Sequence, residues 1–222
     1  MLKVTQQQIS ALQQLAAGLG KTIRYIENPQ YHQTTLEHVV SLDRLIPLLV
    51  RQMESDNGIN LAHLDPNLVR AITFAHDIGE LGMQKDFTAY AVWENGDLAI
   101  VKDTIERQKV KKLAKQHGRF VFDLWHSYQE KATPEARLVK FADKIEGKAH
   151  VLKCGIQHAI DQSDADVTAG YGRKDIVREG ALIYKRIQET LKEEYGWHGW
   201  AWHPQNNVNP DDFRDAPSLL EL

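Results

Sequence analysis

With 222 residues, 42% of them hydrophobic and 26% charged, the chain is long enough for one well-packed domain and has the balance of an ordinary soluble globular protein. A net charge of −3 argues against wholesale nucleic-acid binding, so an anionic ligand would need a local cluster of cations. The single cysteine, Cys154, excludes an intrachain disulfide, and with no signal-peptide core and no apolar run near ~18 residues the expectation is a cytoplasmic protein without a membrane span.

In chain order, Thr5 caps a first helix to about Leu19, with Ile9, Leu12, Leu15, Ala16 and Leu19 on one stripe and Gly18 and Gly20 at its end. Residues 24–33 read as a loop with a turn at Asn28-Pro29. Thr34 and Glu37 form a capping box for a second helix, which Pro47 should kink. Asp65 as cap and Pro66 at the first helical position open a third, largely buried helix that carries His76 and Asp77 near its end. Apolar runs flanking Asn95-Gly96 predict a small hairpin or lid near 89–102. A charged helix follows from Lys102 to His117, then a short one with Phe122, Trp125 and Tyr128 as packing residues. Thr133-Pro134-Glu135 starts a helix expected to reach about Ile160, with Asp143 well inside it. A last helix is expected over 174–195, followed by a Trp- and His-rich tail at 197–204 that reads as an aromatic clasp. No repeat or linker divides the chain, so a single domain over 1–222 is expected, with its core at about 20–160 and the last helix and tail at 173–222.

The residues that carry chemistry lie on three of these helices: His38, the pair His76-Asp77, and Asp143. Two imidazoles and two carboxylates suit one divalent ion of intermediate hardness and leave room for water and a substrate oxygen. Glu80 follows His76 by four residues, which on a continuing helix puts it on the same face, placed to handle a proton on a metal-activated water. Asp143 has a blander reading as a helix residue paired with Lys140 or Lys144, and Glu37 is read as a cap alone. Lys85 and Lys109 are read as solvated surface residues.

These segments resemble the HD-domain metal-dependent phosphohydrolases: Thr35-Leu36-Glu37-His38-Val39, then Ala75-His76-Asp77-Ile78-Gly79-Glu80, then Lys140-Phe141-Ala142-Asp143-Lys144-Ile145-Glu146. Within that superfamily they look most like the bacterial 5′-deoxynucleotidase-like group, over roughly residues 20–160. The resemblance implies an all-α helical bundle and one divalent metal ion (Mn²⁺, Co²⁺, Zn²⁺, Ni²⁺, Fe²⁺ or Mg²⁺) on His38, His76, Asp77 and Asp143. It implies hydrolysis of a phosphate monoester, often a deoxyribonucleoside 5′-monophosphate, with Arg24 at the phosphate and Tyr25 near the sugar. Glu80 would be the catalytic acid or base, and Asp86 matches a further acidic position at a slightly different offset from His76. The expected partner is a small phosphate ester or nucleotide, with no nucleic acid and no membrane, and a homodimer is a family-level expectation.

The alternatives are a nucleoside triphosphate hydrolase or phosphodiesterase of the same superfamily, or a catalytically silent HD module that binds metal or nucleotide. The stringent-response hydrolases follow their His-Asp with a different acidic pattern, and Gly170-Tyr171-Gly172 lacks the Pro of the cyclic-di-nucleotide signature.

Overall fold

The computed structural model describes residues 2–24, 32–57, 61–84, 96–143, 145–147 and 150. The described residues are mainly helical, with one two-stranded sheet. Helix α1 (Gln6–Ala16) starts at a capping box, in which Thr5 Oγ1 accepts from the Gln8 amide and the Gln8 side chain accepts from the Thr5 amide. Ile9, Leu12 and Ala16 turn inward on its buried stripe. Past Ala16 the helix tightens into a 3₁₀ turn, Ala17–Lys21, rather than staying α-helical to Leu19. Gly18 lets Leu81 come close there: a Cβ on it would lie 2.7 Å from Leu81 Cδ2.

The two ends of the expected 24–33 loop pair with each other. Strand β1 (Ile23–Arg24) runs antiparallel to β2 (Gln33–Thr34), with Arg24 opposite Gln33. Helix α2 (Thr35–Asn57) follows directly, capped by Thr34 and Glu37 in both directions, and it continues through Pro47. Helix α3 (Pro66–Ala75) opens with Asp65 Oδ1 accepting from the Asn67 amide. All of Leu68, Val69 and Ala71–Ala75 are buried, because α3 packs against α1, α2 and the helix at 120–129. It ends at Ala75, and a 3₁₀ turn, Ile78–Glu80, comes next.

Helix α4 spans Gly96–His117, so the predicted second arm of a hairpin near 98–101 is the first turn of a helix; residues 89–95 lie outside the described part. The Asn-Gly signal is local, whereas the i,i+4 pairs Lys102–Glu106 and Asp103–Arg107 and the inward register of Glu106 and Val110 require a helix. Asp97 in the first turn favours the positive helix start, and Ile100 at 67% exposure is not the inward residue of a strand. Gly118, at φ +110°, turns the chain into α5 (Phe120–Gln129). Helix α6 is described at 134–143 and 145–147, with Thr133 Oγ1 accepting from the Ala136 amide as its cap.

Leu12, Leu42, Leu68, Ile72, Trp125 and Phe141 form the centre of one continuous core. At roughly 1.5–3 kcal/mol for each large apolar side chain removed from water, this core fixes where α2, α3 and α6 sit, and so where their polar residues meet. No described helix is long and apolar enough to cross a membrane. The helix expected over 174–195, the tail at 197–204, Tyr25, Lys85 and Asp86 fall outside the described residues.

Candidate metal centre

His38 sits in the first turn of α2, facing inward because its neighbours on that stripe, Thr35, Val39 and Leu42, are buried. His76 is the C-cap of α3 with α-helical backbone, and Asp77 leaves the helix at φ −107° and ψ 8°. That change of course places adjacent side chains on one side. His76 Nε2 lies 3.0 Å from Asp77 Oδ2 and 3.3 Å from His38 Nε2. Asp143 arrives from α6 with Oδ1 3.2 Å from His38 Nε2. Ligand atoms of His38, His76 and Asp143 all lie within 4.8 Å of one another. Asp77 Oδ2 borders the same point, 3.8 Å from His38 Nε2, and Arg24 approaches it from β1 at 3.7 Å.

The chemistry of this donor set fits a divalent ion. The Thr73 carbonyl 2.7 Å from His76 Nδ1 can only accept, so Nδ1 carries the proton and Nε2 the lone pair in neutral His76. His38 Nδ1 meets the Glu146 carboxylate, which leaves its Nε2 for the cluster as well. Two nitrogens bound at about 2.0–2.1 Å to one tetrahedral ion lie about 3.3 Å apart, the separation of the two Nε2 atoms. Asp77, Asp143 and Glu146 crowd negative charge around two imidazoles, which favours a cation between them.

The proton affinities point the same way. Burial and the nearby Arg24 charge push His38 toward the neutral form, yet the bonds to Asp143 and Glu146 win and raise its pKa. Burial opposes the charge on Asp77, but His76, His38 and Arg24 outweigh it and hold the carboxyl far below the usual range. Glu146 is also lowered: burial acts against ionisation and the His38 bond overcomes it. Tyr128 is pushed well up by burial and by the Asp143 charge.

Glu80 is not where a continuing helix would put it. Because α3 stops at Ala75 and the backbone tightens, the i+4 relation to His76 does not carry over. Glu80 is nonetheless buried, at 3% exposure, so it is not a surface acid. Its Oε2 accepts from Thr35 Oγ1 at 3.0 Å, and its Oε1 accepts from Lys102 Nζ at 3.3 Å. Thr35 and His38 are three residues apart on α2, hence on neighbouring positions of one face. Lys109, expected on the solvated surface, donates to the Leu81 carbonyl at 2.8 Å, and partial burial lowers its pKa. Lys140 reaches the Tyr128 hydroxyl, 3.2 Å away, and sits over the ring.

Several contributors were not foreseen from sequence. Glu146 follows Asp143 by one helical turn and stands behind His38; that spacing was the available signal. Gln33 Nε2 donates to the other Glu146 oxygen at 2.9 Å. Tyr128, expected as a packing residue, also donates its hydroxyl to Asp143 Oδ2 at 2.7 Å. Lys102 and Thr35 hold Glu80. A separate groove of about 750 Å³ between α2 and α3 is lined mainly by apolar residues such as Ile46, Val50, Leu64 and Val69, and the cluster does not line it.

A helical bundle that gathers histidines and aspartates from three helices onto one point defines a candidate metal centre of the HD type. A family model described as HD domain matches residues 19–184, and the chain belongs to that family. No curated protein and no solved structure matches it.

Proposed function

We propose that this protein is a metal-dependent phosphohydrolase that cleaves a phosphate monoester, a (deoxy)nucleoside 5′-monophosphate in the reading the sequence favours. The observation that carries this is the meeting of His38, His76, Asp77 and Asp143 at separations of 3.0 to 3.8 Å, beside the Arg24 guanidinium. His38 and His76 would offer Nε2 to one divalent ion, and Asp77 and Asp143 a carboxylate oxygen each. When bound, such an ion lowers the pKa of a water and polarises a phosphoryl oxygen.

The rest is work for side chains. Arg24, at the edge of the cluster, pairs with the non-bridging phosphate oxygens and offsets the charge that grows on them. Water adds to phosphorus as the bond to the ester oxygen breaks, giving phosphate and an alcohol. The departing 5′-oxygen needs a proton, and Glu80 is the group assigned to move it at Oε1 or Oε2. Thr35 and Lys102 hold that carboxyl, and Thr35 lies one turn before His38 on α2. Asp86 is the alternative acid, and Tyr25, next to Arg24 in the chain, would lie along the sugar.

The test is a panel of nucleoside mono-, di- and triphosphates assayed for phosphate and pyrophosphate, with chelated protein and after adding back Mn²⁺ or Co²⁺. Metal-dependent phosphate release from monophosphates is the expected result. Cleavage confined to triphosphates or diphosphates would replace this reading with another superfamily activity. Metal binding without hydrolysis of any substrate would indicate a silent binding module.

A further inference from the structure

We propose that Gln33 and Glu146 are positioning residues for His38, acting through a relay of contacts behind the cluster. The proposal rests on the metal reading above. His38 is fully buried, and its two ring nitrogens face opposite ways in function. Nε2 faces Asp143 and His76, at 3.2 and 3.3 Å. Nδ1 faces Glu146 Oε2. An ionised carboxylate can only accept, so Nδ1 holds the proton and Nε2 keeps its lone pair for an ion.

Glu146 is itself held. It is 3% exposed, and its Oε1 accepts from Gln33 Nε2 at 2.9 Å; Gln33 is 5% exposed. The order is therefore Gln33 Nε2–H to Oε1 of Glu146, then Oε2 of Glu146 to Nδ1–H of His38. Each member comes from a different element: Gln33 from β2, Glu146 from α6, His38 from α2. Gln33 is placed by its pairing with Arg24 in the β1–β2 ladder. The same two-residue ladder thus sets Arg24 beside Asp77 and Gln33 against Glu146. A carboxylate at position 33 would repel Glu146, whereas an amide donates to it. Glu146 and Asp143 lie one turn apart on α6, so that helix supplies one candidate ligand and the support for another.

A carboxylate behind a ligating imidazole fixes ring and tautomer and makes the nitrogen a better donor; its loss costs about 10–100-fold in metal affinity. The experiment is direct Mn²⁺ binding to chelated full-length protein by calorimetry, together with the Co²⁺ absorption spectrum. Wild type, His38→Ala, Glu146→Gln and Gln33→Ala are compared, with far-UV circular dichroism of each chelated protein as the fold control. The expected result is one tight site in wild type and its loss in His38→Ala. Glu146→Gln should bind at least about tenfold more weakly and show an altered Co²⁺ spectrum. Gln33→Ala should be weakened by a smaller factor. Wild-type affinity and spectrum in a folded Glu146→Gln would overturn the proposal. Should that variant fail to fold, unchanged binding in Gln33→Ala would overturn it instead. A wild-type protein that binds no ion would overturn the metal reading itself, and the relay with it.

Discussion

Gly79→Ala tests the contact that brings α4 to the candidate centre. A Cβ built on Gly79 would lie 2.7 Å from Glu106 Cβ, 2.9 Å from its Cγ and 3.1 Å from its Cα. Carbon atoms rest at about 3.5–4.0 Å, so α4 or the 3₁₀ turn must retreat by roughly 1 Å. A rotamer change in Glu106 cannot relieve this, because its Cα and Cβ are among the atoms struck. Overpacking of this kind costs about 1–3 kcal/mol. For a chain of this length that lowers the melting temperature by about 2–4 °C per kcal/mol, a loss of roughly 2–12 °C. Gly20→Ala is the matched control: its Cβ would meet Leu36 Cδ2 at 3.5 Å, an ordinary contact. That change should be neutral or should stabilise by up to about 1 kcal/mol. The displaced helix carries Lys102 and Glu106, and Lys102 holds Glu80, so turnover should fall in Gly79→Ala and stay unchanged in Gly20→Ala. Thermal and urea unfolding of both variants, with phosphatase assays below their melting points, would read this out. A Gly79→Ala protein that melts within ~1 °C of wild type would refute the close approach of α4 to the 3₁₀ turn.

Asp77→Ala should abolish metal retention after desalting, measured by elemental analysis, while Glu80→Ala should keep the metal and lose turnover; full activity in Glu80→Ala would remove it from the mechanism. Tyr128→Phe removes the hydroxyl that donates to Asp143 and accepts from Lys140. A bond to a charged group is worth about 1.5–3 kcal/mol, so its loss should show in denaturant midpoints and in weaker metal binding. For the chelated protein, the raised His38 pKa contributes stability that is complete below its ordinary value near 6.5 and is lost as pH rises through the folded value. The lowered Glu146 pKa works oppositely: its contribution is present above the usual carboxylate range and is lost as pH falls through the folded value. Melting temperature against pH should therefore peak on the weakly acidic side without metal, and saturating Mn²⁺ should stabilise most where His38 is neutral. A chelated protein whose stability rises steadily from pH 6 to 9 would contradict the His38 direction.

The parts of this structure that were legible in the sequence are those whose physics is local. Thr5, the Thr34–Glu37 pair, Asp65-Pro66 and Thr133 each cap a helix within a few residues of themselves, and each does so here through the side-chain bond its position implied. The same locality misled at two places. Asn95-Gly96 reads as a turn between strands until the i,i+4 pairs of α4 and its packing on the 3₁₀ turn are taken together. Running the period of α3 onward misplaces Glu80, because the backbone at Asp77 breaks that period three residues before it. His38, His76, Asp77 and Asp143 stood out because each is an ionisable group in an apolar stretch, and the core then brings their helices together. Gln33, Glu146 and Tyr128 carry no such mark. A glutamine at a strand end, a glutamate two residues after a lysine and a tyrosine among aromatic residues each have an adequate local explanation. Their partners lie 113, 108 and 15 residues away. What a helix exposes to its own neighbours can be read from periodicity. What stands behind a ligand depends on which other elements reach it, so these supports become visible only once α2, α6 and the β1–β2 ladder share one interior.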